Sequence, residues 1–252
     1  MQKLFDDSIK LIESTHKYIL KQEPNFEFTS CTSFAKYFFE TFDTIGIANR
    51  LTETHPNYIH LSPQELVSDW DKTAKEGTFI HNEVENFIKE NINPTHPKSI
   101  LAAEWIKKNI IEKDKFDIFS EVIVYSKELA LAGTIDLLIY DRENNTYKIL
   151  DWKTNKRIDT QSFNNKLGNH EASANLMDCN FSHYSIQLSL YRYILENYYG
   201  LTVTGTAISH LMDSGIQFYK TDYHKAEIQM MLKADRTELK QRSEDCLTTD
   251  YL

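Results

Sequence analysis

Asp136, Asp151 and Lys153 are charged residues inside runs that are otherwise mostly apolar: Gly-Thr-Ile-Asp-Leu-Leu-Ile-Tyr from Gly133, and Tyr-Lys-Ile-Leu-Asp-Trp-Lys-Thr from Tyr147. The polar stretch between them, Asp141 to Thr146, is rich in turn-forming residues, so the segment predicts a β-hairpin. A turn centred between Glu143 and Asn144 sets Asp136 opposite Asp151, with Cβ atoms roughly 4.5–5.5 Å apart. Lys153 lies two residues on and points to the same face. A one-residue slip of register would undo this convergence. Two carboxylates so close repel unless a cation joins them, and hard divalent ions prefer carboxylate oxygen. Such an ion could activate a water and offset charge on a phosphate, with Lys153 holding the water or a phosphate oxygen. The plainer alternative is a surface Asp–Lys pair with Asp136 capping a loop. The neighbours weigh against it. Ile135, Leu137, Ile139, Leu150 and Trp152 fall on one face, and Leu138, Tyr140, Tyr147 and Ile149 on the other. Both faces should be covered, and a buried acidic pair then needs a reason.

Other residues could join this chemistry. His81 and Glu85 are i,i+4 neighbours beside the apolar side of a helix, where Ile80, Val84, Phe87 and Ile88 recur; alone, the pair reads as a surface contact. Glu121 interrupts an apolar run holding Ile118, Val122 and Val124, as a further acid at the site edge or as an edge-strand gatekeeper. After Lys153 come Thr154, Lys156, Arg157 and Lys166 in a polar stretch. The segment 155–180 reads as a long loop or flap whose cations could meet phosphates. Gln187 and Tyr191, with His183 one turn earlier, share a helix face.

The elements that must position these residues follow from periodicity. Leu4–Leu20 reads as a helix, as does Ser30–Phe42, whose Phe34, Tyr37, Phe38 and Phe42 suit core packing, or stacking of single-stranded bases. Ser62-Pro63-Gln64-Glu65 is a capping box opening a helix that should end near Gly77, with a second helix over Thr78–Ile92. Lys98–Ile111 is a further helix burying Leu101, Trp105, Ile106 and Ile110. Phe116–Lys127 is the strand before the hairpin, and His183–Tyr199 a helix after it. Leu201–Leu211 and Gly215–Lys220 are closing strands, and Thr221–Arg242 a terminal helix over Ile228, Met231 and Leu232. This order fits an α/β (α+β) fold with a central mixed sheet flanked by helices.

With 252 residues, 41% hydrophobic and 12% aromatic, the chain can build one sizeable core. A net charge of −9 excludes a generally basic nucleic-acid coat, but not a local basic groove or a metal-bridged phosphate site. It implies weak non-specific binding that falls with salt. Cys31, Cys179 and Cys246 are far apart and form no framework, which suits a reducing compartment. No apolar run approaches about 18 residues, so no membrane span is expected. The acidic start, with Asp6 and Asp7, fits neither a signal nor a transit peptide, so a cytoplasmic setting, bacterial or phage-like, is expected.

Asp136 followed by Asp151-Trp152-Lys153-Thr154 resembles the core of the PD-(D/E)XK nuclease superfamily, with Ile135 where the superfamily name has Pro. Gly77-Thr78-x-x-His81, Gly133-Thr134-Ile135-Asp136, Asp-Trp-Lys-Thr and Gln187-x-x-x-Tyr191, in that order, resemble its RecB-type branch, which includes phage and mitochondrial genome maintenance exonucleases. The resemblance implies a restriction-endonuclease-like core over 77–252, with an N-terminal helical region, 1–76, packed on it. It implies Mg²⁺ or Mn²⁺ held by His81, Asp136, Asp151 and the Trp152 carbonyl, with Lys153 as the catalytic cation and Glu85 near the site. Gln187 and Tyr191 would contact DNA and steady the site. Three scattered cysteines make the iron–sulfur cluster of some relatives unexpected. The implied activity is metal-dependent DNA hydrolysis, read as an exonuclease on single strands or ends, with a helicase or a replication or recombination factor as a conceivable partner. Two rivals stand beside it: an endonuclease of repair or restriction on the same fold, and a non-catalytic nucleic-acid-binding module.

Overall fold

The structure, a computed structural model, describes residues 2–237. Cys246 and the end of the expected terminal helix lie outside the described residues.

The hairpin forms where the turn chemistry puts it. Strand β5 (Leu131–Asp141) pairs antiparallel with β6 (Thr146–Lys153), with Tyr140 opposite Tyr147 and Leu137 opposite Leu150. This is the expected register as far as Leu137 and Leu150, but the expected pair of Asp136 with Asp151 does not form. Asp141 fixes the turn, its Oδ1 accepting from the backbone N–H groups of Glu143 and Asn144 at 3.0 and 3.1 Å. Strand β4 (Phe116–Ser126) pairs antiparallel with β5 on its other side. The chain then crosses over through helix α5 (Asn180–Tyr198) to β7 (Val203–Met212), which lies parallel to β6, and β8 (Gly215–Thr221) closes antiparallel on β7. A short β3 (Thr29–Ser30) runs parallel to the start of β5. The result is the mixed sheet expected.

Helices cover both faces. Helix α1 (Cys31–Tyr37), α5 and α6 (Lys225–Lys233) pack Phe34, Ile186, Leu190, Ile194, Ile228 and Met231 against Val122, Val124, Leu138, Ile149 and Ile208. Helix α3 (Pro63–Glu90) and α4 (Pro97–Asn109) pack Ile80, Val84, Ala102 and Ile106 against Leu137, Ile139, Leu150, Trp152 and Leu211. The aromatic stripe of α1 is core, with Phe34, Phe38 and Phe39 fully buried, while Phe42 is exposed beyond the helix end.

Several expectations are corrected. The expected helix over Leu4–Leu20 is a hairpin of β1 (Ile9–Ile12) and β2 (Lys17–Leu20). Its apolar residues alternate with period two, and Ile9, Tyr18 and Leu20 pack on Ala132. His16 adopts the left-handed conformation (φ 51) that turns the chain. The N-terminal region is therefore not all helical, and β3 joins the main sheet. The helices expected to meet at Gly77 are one 28-residue helix, α3, which runs through the boundary expected at 76/77. A glycine inside a helix costs only about 1 kcal/mol against alanine. Its N-terminus carries the expected capping box, Ser62 with Glu65. Helix α2 (Thr44–Thr54), capped by Asp43, was not foreseen. On α4, Leu101 and Trp105 are only half-buried; Ala102 and Ala103 take the inner positions. Finally, Ile135 packs with Leu138 and Ile149, not with Leu137. Strict alternation along β5 breaks at Asp136.

Candidate active site

That break is where the polar residues gather. In β4, Ser120 pairs with Leu137 and Val122 with Ile135, but Glu121, between them and facing Asp136, forms no ladder pair. Glu121 has φ 51, the left-handed region that non-glycine residues rarely adopt. On the other side, β5 and β6 cease to pair beyond Leu137 and Leu150. The Trp152 N–H donates instead to the Asp136 carboxylate, Oδ2, at 2.8 Å. A gap thus opens in the sheet with Asp136 at its centre.

Helix α3 brings His81 to this gap, its Nδ1 3.6 Å from Asp136 Oδ2. One ligand atom each from His81, Glu121 and Asp136 lie within 4.8 Å of one another. None of the three is fully buried. Burial first, then the Asp136 and Glu85 carboxylates, push the Glu121 carboxyl up to about 9. Asp151, 2% exposed, is next to this trio but not part of it. Its Oδ2 stands 2.5 Å from Lys153 Nζ. Burial raises the Asp151 carboxyl to about 6, against the pull of Lys153 and with a further push from Asp136. For Lys153, burial works against the charged form, but Asp151 and Asp136 outweigh it and hold the pKa above the ordinary lysine value. The pair therefore favours the charged form of Lys153.

The donor set suits a hard divalent cation. It offers carboxylate oxygens and one imidazole nitrogen, and the Glu121 carboxyl, raised by burial first and by the neighbouring Asp136 and Glu85 carboxylates next, stands in a setting that a bound cation would relieve.

Two supports lie behind the site. Gln187 and Tyr191 are both buried and bonded to each other, Gln187 Nε2 donating to Tyr191 OH at 2.9 Å. The Tyr191 ring lies against Gly133, where a Cβ would meet its Cε1 at 2.4 Å. At Gly77 a Cβ would stand 2.9 Å from Thr154 Oγ1, so α3 approaches the end of β6 closely. The glycines of the two Gly-containing motifs are thus close-approach positions.

The remaining candidates lie further out. Glu85 is paired with Lys89 at 2.5 Å and is outside the trio. Lys156 and Arg157 are exposed, with Arg157 bonded to Asp159. Arg157 and Lys166 line a cleft of about 1670 Å³ between the β1–β2 hairpin, α1, α2 and the 155–180 segment. That segment is the long loop expected, with short 3-10 turns at Phe163–Asn165 and Glu171–Ser173. Lys166 is paired with Glu40 and Asp178. His183 bonds Asp178 at 2.9 Å on the cleft side and is not in the trio. Sequence reasoning passed over Tyr184, whose ring faces Lys153, and Asn155 and His210, which are bonded in turn behind that ring. Tyr184 carried a signal, since it lies one turn before Gln187 on the same helix.

A family model described as the PD-(D/E)XK nuclease superfamily matches residues 60–247, about three quarters of the chain. The chain belongs to the PD-(D/E)XK nuclease superfamily. Superfamily members hydrolyse phosphodiester bonds, generally with divalent metal ions, and the trio gives this chain an acidic site of the right kind. No curated protein matches the chain. Solved structures similar to it include SSO0001, at 12% identity over 88% of this chain and 77% of that one, TM-score 0.38. Another is a protein from Eubacterium rectale described as a candidate exonuclease, at 13% identity over 89% and 84%, TM-score 0.38. Among the described residues no helix is long and apolar enough to cross a membrane.

Proposed function

We propose that this chain is a Mg²⁺- or Mn²⁺-dependent deoxyribonuclease of the RecB-type branch, acting as an exonuclease on single strands or DNA ends. The observation that carries the reading is the convergence of His81, Glu121 and Asp136 on one point beside the Asp151–Lys153 pair. In this reading His81, Asp136 and Glu121 hold the metal, and Asp151 and the Trp152 carbonyl complete its surroundings. Bound there, a divalent ion supplies Lewis acidity and lowers the pKa of water. The chain's own residues do the rest. Lys153 presents an ammonium, favoured by Asp151 and Asp136, that offsets charge growing on the phosphate oxygens. Asp136 ties β6 to β5 by accepting the Trp152 N–H, so the Asp-Trp-Lys segment moves with the metal ligands. Gln187 and Tyr191 steady β5 from its buried side.

The large cleft supports a single-stranded substrate. Its wall carries Lys17, Lys36, Arg50 and Arg157 interspersed with carboxylates such as Glu27, Asp43 and Asp159, and Phe163, 80% exposed, is available for stacking. Tyr18 lines the cleft, and its hydroxyl lies 2.9 Å from that of Thr134, two residues before Asp136.

The test is digestion of a 5′-labelled single strand, its duplex and a closed circular single strand, with and without Mg²⁺ or Mn²⁺. Wild type should shorten the linear single strand only with metal and spare the circle. Lys153→Ala and Asp136→Asn should lose activity while still melting cooperatively. Cutting of the circle would make it an endonuclease, and no cutting under any condition would sink the enzyme reading.

A further inference from the structure

Lysine is a poor tool for precise placement. Its stem is flexible, and fixing it costs up to about 2 kcal/mol of rotamer entropy. Asp151 alone would draw the Lys153 ammonium back into a buried pair. The structure supplies a second attractor on another element. Tyr184, on α5, turns its ring face to Lys153, with Nζ 4.6 Å from the ring centroid. The ring is held at its far end, where Tyr184 OH donates to Asn155 Oδ1 at 3.0 Å. Asn155 is itself fixed, since its backbone carbonyl lies 2.6 Å from His210 Nε2. A carbonyl only accepts, so Nε2 carries the proton, and the buried Nδ1 is left without a partner among the described residues. His210, 1% exposed, lies in β7 opposite Lys153 in the parallel register. A histidine kept at a buried position with one nitrogen unsatisfied is costly there unless its single bond matters.

We infer that Tyr184 is a positioning residue that sets where the Lys153 ammonium stands, with Asn155 and His210 holding its ring in place. A largely buried ammonium over an aromatic face is more strongly held than one at an exposed site. Tyr184, Gln187 and Tyr191 lie on successive turns of α5. One helix therefore supports both parts of the site, Lys153 through Tyr184 and the Asp136 strand through Tyr191 against Gly133. The role of Lys153 rests on the proposed nuclease function; its placement by Tyr184 does not.

The experiment has two readouts. In NMR of the metal-free protein, the Lys153 Hε protons, assigned by comparison with Lys153→Arg, should be shifted upfield by the ring. Tyr184→Phe should keep that shift, and Tyr184→Leu should return it to the ordinary lysine position. In Mn²⁺-dependent digestion of a linear single strand below the melting temperature of every variant, Tyr184→Leu should lower kcat about ten- to thirtyfold with KM little changed. Tyr184→Phe should recover most of that loss. A purely structural Tyr184 would lower the melting temperature in the leucine variant while leaving kcat alone; that result, or Lys153 Hε protons at the ordinary position in the wild type, would overturn the inference. If wild type cuts no DNA, the nuclease reading falls, yet an unshifted Lys153 in the wild type would still overturn the placement of its ammonium by Tyr184.

Discussion

Gly133→Ala isolates the contact on which the strand carrying Asp136 rests. Gly133 does not use the left-handed region, so alanine suits its backbone. An alanine in place of glycine within a strand should by itself stabilise by roughly 0.5–1 kcal/mol. Space opposes it. The new methyl would lie 2.4 Å from Tyr191 Cε1 and 3.1 Å from both Cβ and Sγ of Cys31. Carbon atoms prefer about 3.5–4.0 Å, so the overlap with the ring exceeds about 1 Å. The ring has nowhere to go, being 2% exposed with its hydroxyl held by Gln187. Overpacking of this kind costs about 1–3 kcal/mol, which leaves a net loss of about 1–2 kcal/mol. At roughly 2–4 °C per kcal/mol for a domain of this size, the melting temperature should fall by about 2–8 °C. The decisive comparison is a double-mutant cycle by urea unfolding. Tyr191→Ala alone should cost about 3–5 kcal/mol by analogy with other buried aromatics. In that background the methyl enters vacated space, so Gly133→Ala should be neutral or stabilising. The coupling should reach about 1–3 kcal/mol. Equal costs of Gly133→Ala with and without the Tyr191 ring would refute the reasoning.

Other perturbations separate stability from activity. Gly77→Ala gains up to about 1 kcal/mol of helix propensity and meets only the Thr154 hydroxyl, so its melting temperature should hold or rise while cleavage drops; parallel losses of both would show that the contact matters only to folding. Saturating Mn²⁺ should raise the wild-type melting temperature, about 2.7 kcal/mol of stabilisation at a hundredfold excess over Kd. Glu121→Gln should abolish that rise and Glu85→Gln should keep it, whereas a rise lost only with Asp151→Asn would mean the wrong carboxylates were chosen. Asp6, whose Oδ2 accepts from Tyr125 OH at 2.5 Å, has its pKa lowered chiefly by that bond and by Ser8. A depressed carboxyl contributes stability above its unfolded pKa of about 3.9 and loses it as pH falls through the folded value. Asp6→Asn should therefore melt lower than wild type at pH 7, and the gap should close toward acid; a gap constant with pH would rule this out.

The hairpin and its register were legible because turn chemistry is local. Asp141, Glu143 and Asn144 fix the bend, and strand pairing then runs without tertiary information as far as Leu137 and Leu150, one pair short of Asp136 and Asp151. The capping box of α3 was legible for the same reason. What stayed hidden depends on partners distant in sequence. Ile9, Tyr18 and Leu20 look as helical as they look strand-like until Ala132 is known to lie beneath them. Gly77 reads as a helix end unless Thr154 is known to press against it. Glu121 could be named as an acid near the site but not ranked above Asp151. Its membership of the trio rests on a left-handed backbone turn in mid-strand, which nothing in Ser-Glu-Val signals.

That turn explains why the site exists at this point of the sheet. A regular ladder would use the backbone of residues 121, 136 and 152 for strand pairing and send Glu121 and Asp136 to an ordinary sheet face. Here β4 gives up its pair at Glu121, at a conformational cost of about 1–2 kcal/mol for a non-glycine residue at φ 51. On the other side β6 gives up its pair at Asp151, and the freed Trp152 N–H is satisfied by a side chain, Asp136 Oδ2. The carboxylate thus replaces a strand carbonyl as acceptor, and its other oxygen is left to act elsewhere. The same interruption releases Ile135 to the α5 side, where Tyr191 and Gly133 clamp the strand. Backbone strain, a carboxylate serving as a sheet acceptor and a glycine packed under a tyrosine are one device. Together they hold Asp136 in a gap that His81 enters from α3 and Glu121 from β4. Removing any one of them should loosen the site before it unfolds the domain.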